Sequence, residues 1–164
     1  MHPYAEFLGD QKPMKVLRST QQRIAKLARG LGKDGLQLTY GPGKWTAAQV
    51  LAHLADCEIA FGFRIRQALA EENHPIQPFD EKAWAAHYQK VKGSQAAKTF
   101  AALRGWNVAL FRQLKKKDLQ RTAVHPERGP ESVDTLLRIM AGHTLNHLAQ
   151  LEIIEKAHAG KAAS

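Results

Sequence analysis

Glycine and proline cluster at five places, Gly30 to Gly35, Gly41-Pro42-Gly43, His74 to Pro78, Gly93-Ser94 and His125 to Pro130, and this punctuation leaves segments of helix length between them. That spacing restricts the chain to a set of long helices joined by loops. From about Pro13 to Arg29, Val16, Leu17, Ile24 and Leu27 recur at helical intervals, and Pro13 suits a first helical turn. Thr46-Ala47-Ala48-Gln49 fits a capping box, so a second long helix is predicted to start there and run to about Glu72. A short helix over about Asp80 to Gln89 should follow. The third long helix is expected from about Gln95 to Lys116, with Ser94 as N-cap and Phe100, Leu103, Leu110 and Leu114 inward, and the fourth from about Val133 to His158. No strand alternation is convincing, although Leu36 to Tyr40 has room for a short extended piece. The expected fold is all-α, a four-helix bundle.

At 164 residues with 44% hydrophobic and 24% charged side chains, the chain has material for one core and one domain, not for a disordered tract or a fibre. A net charge of +9 favours anionic partners without naming one. The single cysteine forms no intrachain disulfide. With no signal-peptide pattern at Met1 to Glu6 and no apolar run of about 18 residues, the expectation is a cytoplasmic protein that does not enter a membrane.

Two of the eight histidines, His143 and His147, are four apart, and their helical phase matters more than their spacing. Advancing about 100° per residue, Leu136, Met140, His143, His147, Leu151 and Ile154 share one stripe, the face that should enter the core. Burying an imidazole without partners costs about 1 to 3 kcal/mol, so two neighbouring ones need compensation. A shared metal ion would supply it, because adjacent helical turns aim two ring nitrogens at one point. The second long helix offers His53, at the edge of a stripe formed by Val50, Leu54, Cys57, Phe61 and Ile65. If that helix neighbours the last one, three imidazoles converge and leave positions open for water or substrate. The plainer alternative makes His143 and His147 polar core residues bonded to neighbours such as Gln150, and His53 a solvated edge residue.

The stretch Gly43 to Glu58 (GKWTAAQVLAHLADCE) resembles the helix signature of the DinB-like (YfiT-like) family of bacterial four-helix bundles. Pro78 to Ala85, His125 to Gly129 and Gly142 to Gln150 resemble further family segments in the same order, so the likeness spans about residues 13 to 155 of a single domain. It implies a divalent metal, nickel or zinc, held by His53, His143 and His147. It also implies a metal-dependent enzyme acting on a small molecule, by thiol transfer from a low-molecular-weight thiol or by hydrolysis. The alternative is a non-catalytic metal-binding dimerisation or regulatory module. One departure is Thr144, where the family often carries Asp directly after the first His of the pair.

The other polar candidates carry milder expectations. Cys57, one turn beyond His53, reads as a core residue before an auxiliary ligand. Asp56, Glu58, Arg64 and Asp80 read as surface or bundle-end charges, His125 as a loop residue near the mouth of the site, and Trp45, Trp84 and Trp106 as packing residues. Lys115-Lys116-Lys117 complements a helix C-terminus, and without interleaved aromatics or a docking motif it does not point to nucleic acid. Ala52, Ile59 and Phe63 form a second apolar set on the second long helix. A homodimer that covers it is the expectation, with packing under the segment around Trp84 as the alternative.

Overall fold

The computed structural model describes residues 2–162. Its helices are α1 (Ala5–Leu8), α2 (Pro13–Gly35), α3 (Ala47–Ala70), α4 (Glu81–Ala85), α5 (Gly93–Phe111), α6 (Lys116–Leu119) and α7 (Val133–Ala162), with short strands β1 (His74–Pro75), β2 (Thr122–His125) and β3 (Gly129–Ser132). The four long helices α2, α3, α5 and α7 make the bundle. Around it α2 packs on α5, α5 on α3, α3 on α7 and α7 on α2. Helices consecutive in the chain, α2 with α3 and α5 with α7, therefore stand diagonally, whereas an up-and-down bundle would place them side by side. The connections at 36–46 and 112–132 are long enough to cross the ends, and this crossing puts α3 beside α7.

Local sequence accounts for the ends of these elements. Thr46 closes the capping box: its Oγ1 accepts from Gln49 N–H at 3.2 Å, and its own N–H donates to Gln49 Oε1 at 2.8 Å. Such a cap is worth about 1 kcal/mol. Pro13 opens α2 as expected, but the helix outruns Arg29, because Gly32 absorbs a break at φ 59° and a further turn continues to Gly35. The expected Asp80 to Gln89 helix is two pieces, α4 and a 3₁₀ turn at Tyr88–Lys90, with the Asp80 carboxylate accepting from Lys82 and Ala83 N–H. α5 begins two residues before Gln95, with Lys92 in place of Ser94 at the N-cap, and ends at Phe111. Its inward face is Phe100, Arg104, Asn107, Val108 and Phe111, while Leu103, Leu110 and Leu114 are only partly buried. The face is rotated because α5 contributes polar side chains to the core.

The three strands form a small sheet in the order β1-β2-β3, parallel for the first pair and antiparallel for the second, with Thr122 opposite Ser132 and His125 opposite Gly129. Leu36 to Tyr40 contributes only an isolated bridge, Thr39 with Thr46. Both core stripes predicted around the histidines are buried: Leu136, Met140, Leu151 and Ile154 on α7, and Val50, Leu54, Cys57, Phe61 and Ile65 on α3. The second apolar set of α3 divides. Ala52 is buried, whereas Ile59 and Phe63 are 52% and 59% exposed and border a groove of about 430 Å³ with Phe79 and Trp84. Among the described residues no helix is long and apolar enough to cross a membrane.

Candidate metal centre

His53 leaves α3 two turns after its cap, and His143 and His147 leave the middle of α7, so the packing of α3 on α7 brings all three rings together. They are 1%, 5% and 6% exposed. His53 is therefore no solvated edge residue. His53 Nε2 lies 2.9 Å from His143 Nε2, and His147 Nε2 lies 3.1 Å from the same atom. The second ring nitrogen of His147, Nδ1, is 2.8 Å from Gln150 Oε1; an amide oxygen only accepts, so Nδ1 carries the proton and Nε2 presents a lone pair.

Electrostatics keep these rings neutral. Burial lowers His53 to about 3, with the charge His147 would carry adding to the effect. His143 is held well below the ordinary imidazole range, first by burial and then by His147, His53 and Arg104. Burial also lowers His147, against the opposing bond to Gln150. Three neutral rings meeting at Nε2 place lone pairs on one another, since a single proton can bridge only one such contact. A divalent cation shared by these nitrogens would resolve this. Two nitrogens each about 2.1 Å from a common ion sit about 3 Å apart when the angle between them is near a right angle, which is the spacing found here.

Cys57 belongs to the same cluster. Its Sγ lies 3.5 Å from His53 Nε2 and 3.8 Å from His143 Nε2, and these three residues place donor atoms within 4.8 Å of one another, a set that can hold a metal ion. Burial pushes the Cys57 thiol up, with nearby Glu81, Glu58 and Asp56 acting in the same direction, so it stays protonated where no cation is bound. Its place in the core stripe agrees with the sequence reading.

The roof over the rings is aromatic. Trp45 stacks on His147 at a ring distance of 6.4 Å and tilts over His53 at 5.1 Å, and Tyr4 meets His143 edge-on at 5.2 Å. Tyr4 is held there by Gly142, where any Cβ would collide with the Tyr4 backbone. Between these groups a cavity of about 260 Å³ reaches His147, bordered also by Lys44, Glu81, Asn146 and Gln150. Trp45 is thus more than a packing residue. Glu81 and Tyr4 were invisible as site residues in the sequence, because only the chain crossings at 71–92 and the N-terminal turn carry them there. The i, i+3 spacing of Gln150 from His147 was the one available signal.

A buried polar network supports the rings from the bundle side. Arg104 is fully buried; its Nε and Nη2 donate to Glu58 Oε1 at 2.9 and 2.6 Å, Nη1 to Leu17 O and Thr20 Oγ1, and Nη2 also to Thr144 Oγ1 at 2.9 Å. Asn107 Nδ2 donates to Glu58 Oε2 at 3.1 Å. Glu58, expected at the surface, is 2% exposed because α5 presents Arg104 to it. Thr144, next to His143, donates its hydroxyl to Met140 O and accepts from Arg104. Where the family often carries Asp, this chain therefore has a hydroxyl tied to a buried guanidinium. Asp56 accepts from Tyr88 Oη at 2.6 Å. His125 lies in β2, its Nδ1 accepting from Glu127 N–H, and does not border the cavity over the rings.

Known proteins share this fold and sequence pattern. The chain is 36% identical over 122 residues to an Oceanobacillus iheyensis protein named as a candidate metal-dependent hydrolase, covering 74% of this chain and 71% of that one. A second protein of that organism with the same designation is 27% identical over 150 residues, 90% of this chain and 86% of its own. Among solved structures, YfiT from Bacillus subtilis, described as a probable metal-dependent hydrolase with an unusual four-helix bundle topology, superposes with a TM-score of 0.81 at 26% identity, over 89% of this chain and 85% of that one. The sequence profile of the DinB superfamily matches residues 17–151, and the chain belongs to that superfamily.

Proposed function

We propose that this protein is a metal-dependent enzyme in which His53, His143 and His147 hold one divalent ion, nickel or zinc, for the hydrolysis of a small electrophilic substrate or its transfer to a low-molecular-weight thiol. The observation that carries the reading is the meeting of three buried, neutral Nε2 atoms 2.9 and 3.1 Å apart. Imidazole suits both metals. When bound, the ion supplies a Lewis acid and lowers the pKa of a water or thiol at its open positions.

The rest of the chemistry belongs to the chain's own side chains. Gln150 fixes the His147 tautomer, and Tyr4 and Trp45 shield the rings from bulk water. Substrate enters through the cavity at His147, where the Lys44 ammonium holds an anionic group and the Glu81 carboxylate accepts the proton released by the nucleophile. The metal-loaded protein is expected to turn over members of an ester, amide and electrophile panel, offered with water alone or with glutathione, cysteine and other small thiols. His53→Ala and Glu81→Gln should lose that turnover while keeping helicity. Equal background rates for metal-free, loaded and variant protein, with metal raising only the melting temperature, would refute catalysis and leave a metal-binding structural module.

A further inference from the structure

A large recess lies away from the histidines. About 900 Å³ open between α2 and α5, beneath the turn at 88–92. Its floor is made of very small side chains, Ala25, Ala28, Ala48, Ala97 and Ala101, together with Leu36. Ala28, Leu36, Ala48 and Ala97 each keep 5 to 8% of their surface open, while Leu27 and Ala47 beside them are closed at 0%. Two neighbouring helices here have no side chain that fills the space between them.

The rim has the opposite character. Arg29 and Lys33, on either side of the Gly32 break in α2, border it together with Lys98 of α5, and Lys90 and Lys92 come from the turn above. All five are exposed, and among the described residues none takes part in an ion pair. Among the described residues no Asp or Glu borders the recess. At the chain-wide ratio of 24 Lys and Arg to 15 Asp and Glu, five cations would be accompanied by about three carboxylates. Five like charges around one opening repel one another, and an anion placed among them relieves that repulsion.

We propose that this recess binds a small organic anion with an apolar body, of the fatty-acid class, its chain on the alanine floor and its carboxylate among the rim cations. Ligand sites of this size combine an apolar lining with a few convergent charged groups, as here. A phosphodiester backbone would meet the rim but leave the recessed floor in water. The recess is independent of the metal centre. Tyr88 borders it and touches Trp45 edge-on at 6.4 Å, so the two sites lie on opposite sides of that aromatic wall.

The test is calorimetric titration of the full chain with dodecanoate below its micelle threshold, in parallel with dodecanol, which has the same chain without the charge. Dodecanoate is expected to bind saturably, one per chain, and roughly tenfold or more tighter than dodecanol. Lys33→Gln combined with Lys98→Gln should remove that difference. Ala97→Phe, or Ala25→Leu should the first variant fail to fold, should weaken binding of both ligands with metal content and helicity unchanged. The proposal is overturned by absence of saturable binding, by equal affinity for dodecanoate and dodecanol, or by undiminished binding to a folded filled-floor variant.

Discussion

Replacing Glu58 by Gln keeps the side chain's size and removes its negative charge, and with the amide oxygen kept toward Arg104 its NH2 meets the donating Nδ2 of Asn107 where Oε2 had accepted. Arg104, fully buried, then keeps its bonds to Leu17 O, Thr20 and Thr144 but loses the carboxylate that takes two of its N–H groups at 2.9 and 2.6 Å. An uncompensated charge in such a place costs about 3 to 5 kcal/mol. For a chain of this size each kcal/mol moves the melting temperature by about 2 to 4 °C, so Glu58→Gln should melt roughly 10 °C lower. Removing both charges, in Glu58→Leu combined with Arg104→Met, should recover most of the loss, since apolar side chains can replace a buried pair at little cost. Urea unfolding of wild type, Glu58→Leu, Arg104→Met and the double variant closes a double-mutant cycle and reads the coupling directly. A Glu58→Gln penalty under about 1 kcal/mol, or a double variant less stable than either single one, would refute the argument.

The remaining predictions concern the rings and the surface of α3. Unfolded imidazoles take protons near pH 6.5, whereas His53 folds with its value lowered to about 3 and His143 and His147 are also lowered, so the metal-free protein should have its full stability above about pH 6.5 and lose it as the pH falls toward 3. Melting temperature against pH measures this, and replacing all three histidines by Gln should flatten the slope. Gln150→Ala should weaken metal affinity by about 10- to 100-fold in competition with a chelator, with unchanged helicity, because the His147 tautomer is no longer held. We propose that a second copy covers Ile59 and Phe63; light scattering should show a dimer that Phe63→Glu dissociates, and a wild-type monomer at high micromolar concentration would refute it.

Much of the bundle was legible because its signals are local. The Thr46 cap and the apolar stripes of α3 and α7 depend on residues three or four apart, and they placed His143 and His147 in the core. The strands were not legible: β1 has two residues and β3 contains Pro130, too few positions for alternation to register. Glu58 looked like a surface charge because its burial is explained only by Arg104, 46 residues away on a different helix. The same holds for Glu81 and Tyr4, which reach the cavity through crossings that no periodicity encodes. His53 lay between these cases: its phase put it at a stripe's edge, and the α3–α7 contact turned that edge inward.

The account rests on three imidazoles holding one ion, and the direct measurement is elemental analysis of protein purified without an affinity tag. Wild type and Cys57→Ala are expected to carry about one divalent ion per chain, and the His53, His143 and His147 triple-alanine variant none. Stoichiometric metal in the triple variant, or loss of metal in Cys57→Ala with retention in His147→Ala, would contradict the three-histidine centre.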